Sequence, residues 1–247
     1  MSETFVLVHG AWHGAWCWAA VINELEKRGD NALAIDLPGQ GASRFDRAKV
    51  TLATYVDSAI SFIAERDLKN VVLAGHSLGG LTISGVVQKI PHRIKRVVFI
   101  TAMVPNDGER GAETLPPFPN SAEWGGILGS RTDGSLPPEA IGDPFRKYFI
   151  QDASRDLQDF VLSALQPQPM APANEPVSMK EFYTCGVPQS YIICEDDISP
   201  NGARGNWHPH FTNRLKNPTT RTIRSGHEVM FTKPAECAQA LYELARS

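Results

Sequence analysis

Gly75-His76-Ser77-Leu78-Gly79-Gly80 is the stretch that decides the fold. The four residues before it, Val71-Val72-Leu73-Ala74, are continuously apolar, as a strand buried on both faces should be. The residues after it carry apolar side chains at helical spacing. Over 78–90, Leu81, Val86, Val87 and Ile90 point inward and Pro91 ends the helix. A serine between glycines at a strand-to-helix turn is the G-x-S-x-G arrangement in the context that it requires. The sharp turn holds the serine in a backbone conformation that is costly for a residue with a side chain. The residues two positions away on either side would collide with strand or helix if they carried side chains. Gly75 and Gly79 meet that demand. The helix start aims free amides and the positive end of its dipole at the serine. Ser77 is therefore the candidate nucleophile.

Outward from this turn, short β-branched runs alternate with helical patterns. Strands are expected at Phe5–Val8, Ala32–Ile35, Val71–Ala74, Val97–Ile100, Ser190–Cys194 and Thr220–Ile223. Helices are expected over 16–28, 53–66, 78–90, about 208–216 and 234–245, the last opened by Pro234. The class is α/β, with a mostly parallel central sheet of about six strands flanked by helices. Residues 104–187 break the alternation. Prolines and glycines crowd that segment (Pro116, Pro117, Pro119, Gly125, Gly126, Pro137, Pro138), and helical pattern returns at 144–165. Trp124, Phe145, Tyr148, Phe149, Phe160 and Leu162 give it apolar mass that a disordered linker would not need. It reads as a lid of roughly eighty residues inserted into a core made of 1–103 and 188–247.

The 247 residues carry a net charge of −3, which gives no electrostatic reason to expect nucleic acid or an anionic membrane as partner. Cys17, Cys185, Cys194 and Cys237 form no CxxC pair or disulfide framework and read as free, buried thiols. Met1 to His9 does not look like a secretion signal. Apolar runs such as Val97 to Val104, broken by Thr101, are too short to span a bilayer. A soluble cytoplasmic protein is expected. A homodimer stays open, since nothing in the sequence sets the oligomeric state.

A serine hydroxyl needs a general base. The order demanded by the elbow is Ser, then acid, then His. His227, in Ser225-Gly226-His227-Glu228, follows the last strand at the carboxyl end of the sheet, where ligands collect. The acid should follow the fifth strand, where Glu195, Asp196 and Asp197 stand in a row. Asp197 is preferred, because three residues past Cys194 the chain has left the strand and can turn toward His227; Asp196 comes second and Glu195 third. The acid would fix the imidazole tautomer. His208 and His210, in Trp207-His208-Pro209-His210-Phe211, read as solvated residues of a surface helix; they lack a third metal ligand at suitable spacing. Neither metal nor cofactor is expected.

The opening Val8-His9-Gly10-Ala11-Trp12-His13-Gly14-Ala15-Trp16-Cys17-Trp18, taken with Asp36-Leu37-Pro38-Gly39, the elbow at 75–80 and Gly226-His227, resembles the plant methylesterase and hydroxynitrile lyase family of α/β-hydrolases, which has bacterial members. The resemblance runs in order over the whole chain, the lid excepted. It implies the α/β-hydrolase fold and an oxyanion hole made by the amides of Ala11 and Leu78. The expected position of such donors, one on the first loop and one just after the nucleophile, agrees. Three departures matter. Lyases of this family have lysine after the catalytic histidine, where this chain has Glu228; threonine in place of Gly10; and cysteine in place of Leu78. Without the cation that stabilises leaving cyanide, the lyase reading loses to the esterase.

The expected activity is hydrolysis of a small carboxylic ester by Ser77, His227 and Asp197. Trp12, His13 and His76 are candidate substrate-binding residues, while Trp16 and Trp18 read as core aromatics. The same triad could serve a lactonase, a carbon–carbon bond hydrolase or a perhydrolase. From another class, the fold could act as a non-catalytic small-molecule receptor.

Overall fold

The computed structural model describes residues 2–115 and 134–247. Trp124, with Pro116, Pro117, Pro119, Gly125 and Gly126, lies outside the described residues. The six expected runs become strands: β1 (Thr4–Val8), β2 (Asn31–Ile35), β3 (Val71–His76), β4 (Ile94–Ile100), β7 (Gln189–Cys194) and β8 (Thr219–Ile223). A small antiparallel pair, β5 (Ser135–Leu136) and β6 (Gln168–Pro169), lies between β4 and β7 in the chain. The six form one sheet in the order β2-β1-β3-β4-β7-β8, with every pairing parallel.

Successive side chains leave a strand on opposite faces, so each strand feeds two cores. Phe5, Leu7, Val72, Ala74, Val98, Ile100 and Ile192 face one core, where α1 (Ala19–Glu26) and the last helix, α5 (Pro234–Ala245), bring Val21, Leu25, Leu241 and Leu244. Val6, Val8, Leu73, Val97, Phe99, Tyr191 and Ile193 face the other, covered by α2 (Leu52–Glu65) and α3 (Gly79–Lys89). Each fully buried aliphatic or phenyl side chain contributes about 1.5–3 kcal/mol. The start of α2 is fixed by a reciprocal cap, in which Thr51 Oγ1 accepts the Thr54 amide and Thr54 Oγ1 accepts the Thr51 amide.

The pattern at 144–165 resolves into a π turn (Phe145–Phe149) and α4 (Arg155–Ala164), capped by Ser154. Phe145, Tyr148, Phe149, Ile150 and Val161 make a third apolar cluster, packed against Trp12, Trp16 and Phe231. Phe160, by contrast, is exposed.

Two expectations need correcting. The helix expected over 16–28 begins as a 3₁₀ turn, Ala15–Trp18, before α1 takes over. The helix expected near 208–216 reduces to one 3₁₀ turn, Thr212–Arg214. The chain just before it is tied inward instead: Trp207 Nε1–H donates to the Ser199 carbonyl and hydroxyl at 3.0 Å each, and Asn206 Nδ2–H donates to the Ser199 carbonyl at 2.9 Å. Cys17, Cys194 and Cys237 are buried free thiols and Cys185 is half-buried. Among the described residues no helix is long and apolar enough to cross a membrane.

Candidate active site

Ser77 sits between β3 and α3 with φ +51°, in the left-handed region that costs a non-glycine residue on the order of 1 kcal/mol or more. Surrounding bonds hold it there. Its amide donates to the Ile100 carbonyl and its own carbonyl accepts the amides of Gly80 and Met103. A Cβ on Gly79 would stand 2.7 Å from the His9 carbonyl oxygen, and one on Gly75 would stand 2.9 Å from the Gly79 carbonyl oxygen. The motif's glycines are therefore a packing requirement.

His227 and Asp197 come together from the ends of β8 and β7. Nδ1–H of His227 donates to Asp197 Oδ2 at 2.7 Å, with both side chains buried. The carboxylate is otherwise saturated: Thr101 Oγ1 donates to Oδ2 at 2.5 Å, and the Ser199 amide and hydroxyl donate to Oδ1 at 2.8 and 2.7 Å. The two rival acids face elsewhere. Asp196 pairs with Arg204 at 2.6 Å and Arg224 at 3.6 Å, and Glu195 is exposed. Since Nδ1 is the donor, the ring's free lone pair is on Nε2, which is buried with no hydrogen-bond partner among the described residues. The His227 ring is walled in by Trp207 and His76, at 4.6 Å each, and by Phe149 at 5.2 Å.

Residues 149–152 grip both loops that carry this pair. The Phe149 carbonyl accepts the Glu228 amide, Asp152 Oδ2 accepts the Gly226 amide at 2.8 Å, and Gln151 Nε2 donates to the Asp196 carbonyl at 3.0 Å.

Ser77 opens onto a cavity of about 150 Å³. Ala11, Trp12, Leu78, Met103 and Trp207 supply its core side; Leu136, Phe149, Gln168, Met170 and Ala173 supply the other. Gln168 spends its polar atoms elsewhere: Oε1 accepts the Trp12 amide and Gln40 Nε2, and Nε2 donates to the Tyr55 hydroxyl and the Pro169 carbonyl. Among the described residues, the lining therefore carries no charge. Ala11 and Leu78, the expected amide donors, both border the cavity beside Ser77. Leu78 caps α3, whose first-turn amides have no partners within the helix.

Of the three expected substrate-binding residues, Trp12 lines the cavity, while His13 and His76 lie behind it. His76 is fully buried and its Nε2–H donates to the His227 carbonyl at 3.0 Å. His13 Nδ1–H donates to the Ala11 carbonyl at 2.7 Å and its Nε2 faces Glu228 Oε2 at 3.5 Å. Burial holds all these rings neutral, lowering His9 to about 4, His13 to about 3 and His76 well below the usual histidine range. Burial also pushes the Glu228 carboxyl well above the usual range, with Asp197 and Asp152 adding to the effect. His76, His227 and Glu228 form the one group compact enough to suggest a metal among the described residues. Asp197 holds His227 Nδ1 and a carbonyl holds His76 Nε2, which leaves His76 Nδ1, His227 Nε2 and Glu228 Oε2 without a hydrogen-bond partner among the described residues. His208 and His210 behave differently from each other. His208 is exposed, whereas His210 Nε2–H donates to the Thr114 carbonyl at 2.8 Å.

Sequence reasoning missed Thr101, Ser199, Trp207 and Gln168. Thr101 leaves a trace, being the polar break in the run Val97–Val104, and its φ of +35° marks it as a constrained strand end. The others leave none, since their roles depend on loops folding back over the sheet.

Known proteins are similar to this chain along its whole length. The model of the alpha/beta hydrolase family matches residues 5–240. Methylesterase 2 of Arabidopsis thaliana is 30% identical, the match covering 99% of this chain and 96% of that one. The carbendazim hydrolyzing esterase of Nocardioides sp. (strain SG-4G) is 30% identical over 97% of this chain and 98% of its own. Among solved structures, an extracellular alpha/beta-hydrolase from a Paenibacillus species, described as sharing structural and functional homology with tobacco salicylic acid binding protein 2, superposes with a TM-score of 0.89 at 29% identity, covering 99% of this chain and 100% of that one. With an all-parallel six-stranded sheet, a serine elbow and relatives along its whole length, this chain belongs to the alpha/beta hydrolase family, among its carboxylesterase-type enzymes.

Proposed function

We propose that the protein hydrolyses small, uncharged carboxylic esters through an acyl-enzyme on Ser77. The observation that carries the reading is the buried 2.7 Å His227–Asp197 hydrogen bond beside a serine held at φ +51°. Asp197 fixes the tautomer that leaves His227 Nε2 as the base. His227 takes the proton as Ser77 Oγ attacks the carbonyl carbon, and returns it to the departing alcohol. Water, deprotonated by the same nitrogen, then cleaves the acyl-enzyme and frees the acid. Ser77 and His227 Nε2 share no hydrogen bond in this structure; such contacts often tighten only with substrate bound. The amides of Ala11 and Leu78 take the charge that develops on the carbonyl oxygen, where one lost donor costs about a hundredfold or more.

We read residues 104–187 as the lid over a core of 1–103 and 188–247, since the described part of that segment supplies Leu136, Phe149, Gln168 and Met170 to the cavity. The uncharged lining favours an apolar acyl or alcohol group. The relatives named methylesterases make methyl esters the first natural class to try. The same reading keeps the enzyme in the cytoplasm, where four unpaired thiols stay reduced, and gives it neither a nucleic-acid nor a membrane partner. The test is turnover of p-nitrophenyl acetate and butyrate by the protein and by Ser77→Ala. Loss of nearly all turnover is expected in the variant, and equal turnover would defeat the assignment. Fluorophosphonate labelling of Ser77 separates an enzyme from a receptor with a dead site, which would not label.

A further inference from the structure

Behind the proposed triad lies a buried pair that the mechanism above does not use. His13 and Glu228 are each about 1% exposed. His13 Nδ1 lies 2.7 Å from the Ala11 carbonyl. A carbonyl only accepts, so Nδ1 carries the hydrogen and Nε2 presents a lone pair. That lone pair faces Glu228 Oε2 at 3.5 Å, and neither atom has another hydrogen-bond partner among the described residues. At this spacing no water fits between them. Two bare acceptors facing each other away from water would repel, at a cost that a native fold does not ordinarily bear. One proton must lie between the two. Because burial disfavours both the carboxylate and the imidazolium, that proton rests on the acid.

The two ends of this pair are the loops that matter. Glu228 directly follows His227. Ala11, held by His13, borders the cavity beside Ser77. We propose that Glu228 is a positioning residue: as a neutral acid it donates to His13 Nε2, His13 Nδ1–H holds the Ala11 carbonyl, and the loop bearing the base is thereby locked to the loop bearing an oxyanion donor. The inference rests on the esterase reading of Ser77, His227 and Ala11. Its consequence is specific to the transition state. A loosened Ala11 peptide would bind substrate as before but would aim its amide less well at the developing oxyanion.

The test compares Glu228→Gln, which restores a donor, with Glu228→Leu, which offers none, using p-nitrophenyl butyrate and a trifluoromethyl ketone that mimics the tetrahedral oxyanion. Glu228→Leu should lose about tenfold or more in kcat with KM within about twofold, and should bind the ketone weaker by a matching factor. Glu228→Gln should keep kcat and ketone affinity within about threefold of the parent. A merely structural role would move Tm without this split. If Glu228→Leu does not fold, His13→Phe with Glu228→Leu removes both polar partners and keeps the ring packing, and it should show the same kcat and ketone losses. Unchanged kcat and ketone affinity in whichever of these folds, or a Glu228→Gln loss as large as that of Glu228→Leu, overturns the proposal. Ser77→Ala in the same assay keeps the two readings apart: if it turns over like the parent, the esterase reading fails, and if it is dead while Glu228→Leu is unimpaired, only the positioning role fails.

Discussion

The two sides of Ser77 are built from opposite materials. In front lies a cavity walled by Trp12, Leu78, Met103, Met170 and Trp207, in which no lining side chain among the described residues is charged. Behind lie His9, His13, His76, His227, Asp197 and Glu228, all buried. The front can exchange one apolar side chain for another of similar size at small cost. The rear cannot, because its imidazole rings and the Asp197 carboxylate are held by buried hydrogen bonds of fixed direction. His9 shows this: Nδ1–H donates to the Gly10 carbonyl at 2.8 Å and Nε2 accepts the Leu37 amide at 3.2 Å. The difference separates two jobs. On the proposed mechanism, the front sets which ester fits and the rear sets how well the reacting atoms are aimed.

Substitutions on the two sides should therefore leave different kinetic marks. The largest effect belongs to the rear. Asp197→Asn should lower kcat on the order of 10⁴-fold by favouring the wrong His227 tautomer, with KM little changed, read from p-nitrophenyl ester turnover. A change confined to KM would collapse the distinction.

The next effect is also at the rear, and it concerns pH. His9 and His76 titrate lower folded than unfolded. Between about 6.5 and their folded values the unfolded chain holds more protons, so stability is full above that window and falls as pH drops through it. His13 and Glu228 oppose each other, since one shared proton in the folded pair matches one on the free histidine. Each fully linked histidine moves stability by about 1.4 kcal/mol per pH unit, so His9 and His76 together should cost on the order of 3 kcal/mol between pH 6.5 and 5. Denaturant melts across that range measure it. Flat stability would mean that the rear imidazoles are not buried neutral.

The smallest effect belongs to the front. Met170→Trp should fill part of the 150 Å³ cavity and raise KM for p-nitrophenyl hexanoate about tenfold, while acetate turnover stays near that of the parent. Comparing the two esters sharpens the line between front and rear, and an equal loss on both would blur it.

The rear and the front were also unequally legible in the sequence. The sheet could be read because each strand is a short, nearly unbroken apolar run, and Ser77 because its glycines answer a steric demand written in adjacent residues. His227 followed from chain order, and Asp197 from how far the chain had left β7. What stayed hidden depends on long-range folding. Thr101 and Ser199 reach Asp197 from two loops, and Trp207 covers His227 from a loop tied back to Ser199. His13 and His76 sat in the right motifs, yet only the fold reveals that they face away from the cavity. In the sequence Glu228 reads only as the loss of a cation beside a leaving group, whereas in the fold its side chain turns back to His13.

One close contact has a bearing on redesign. A Cβ on Gly10 would come within 2.8 Å of His76 Nδ1 and 3.0 Å of Ser77 Cβ. Any larger residue at position 10 has to push aside both the His76 ring and the Ser77 side chain. Position 10 is thus coupled to its two neighbours on the elbow: what it can hold depends on what stands at 76 and how Ser77 sits. An engineer adding a side chain there must make room at the elbow in the same step.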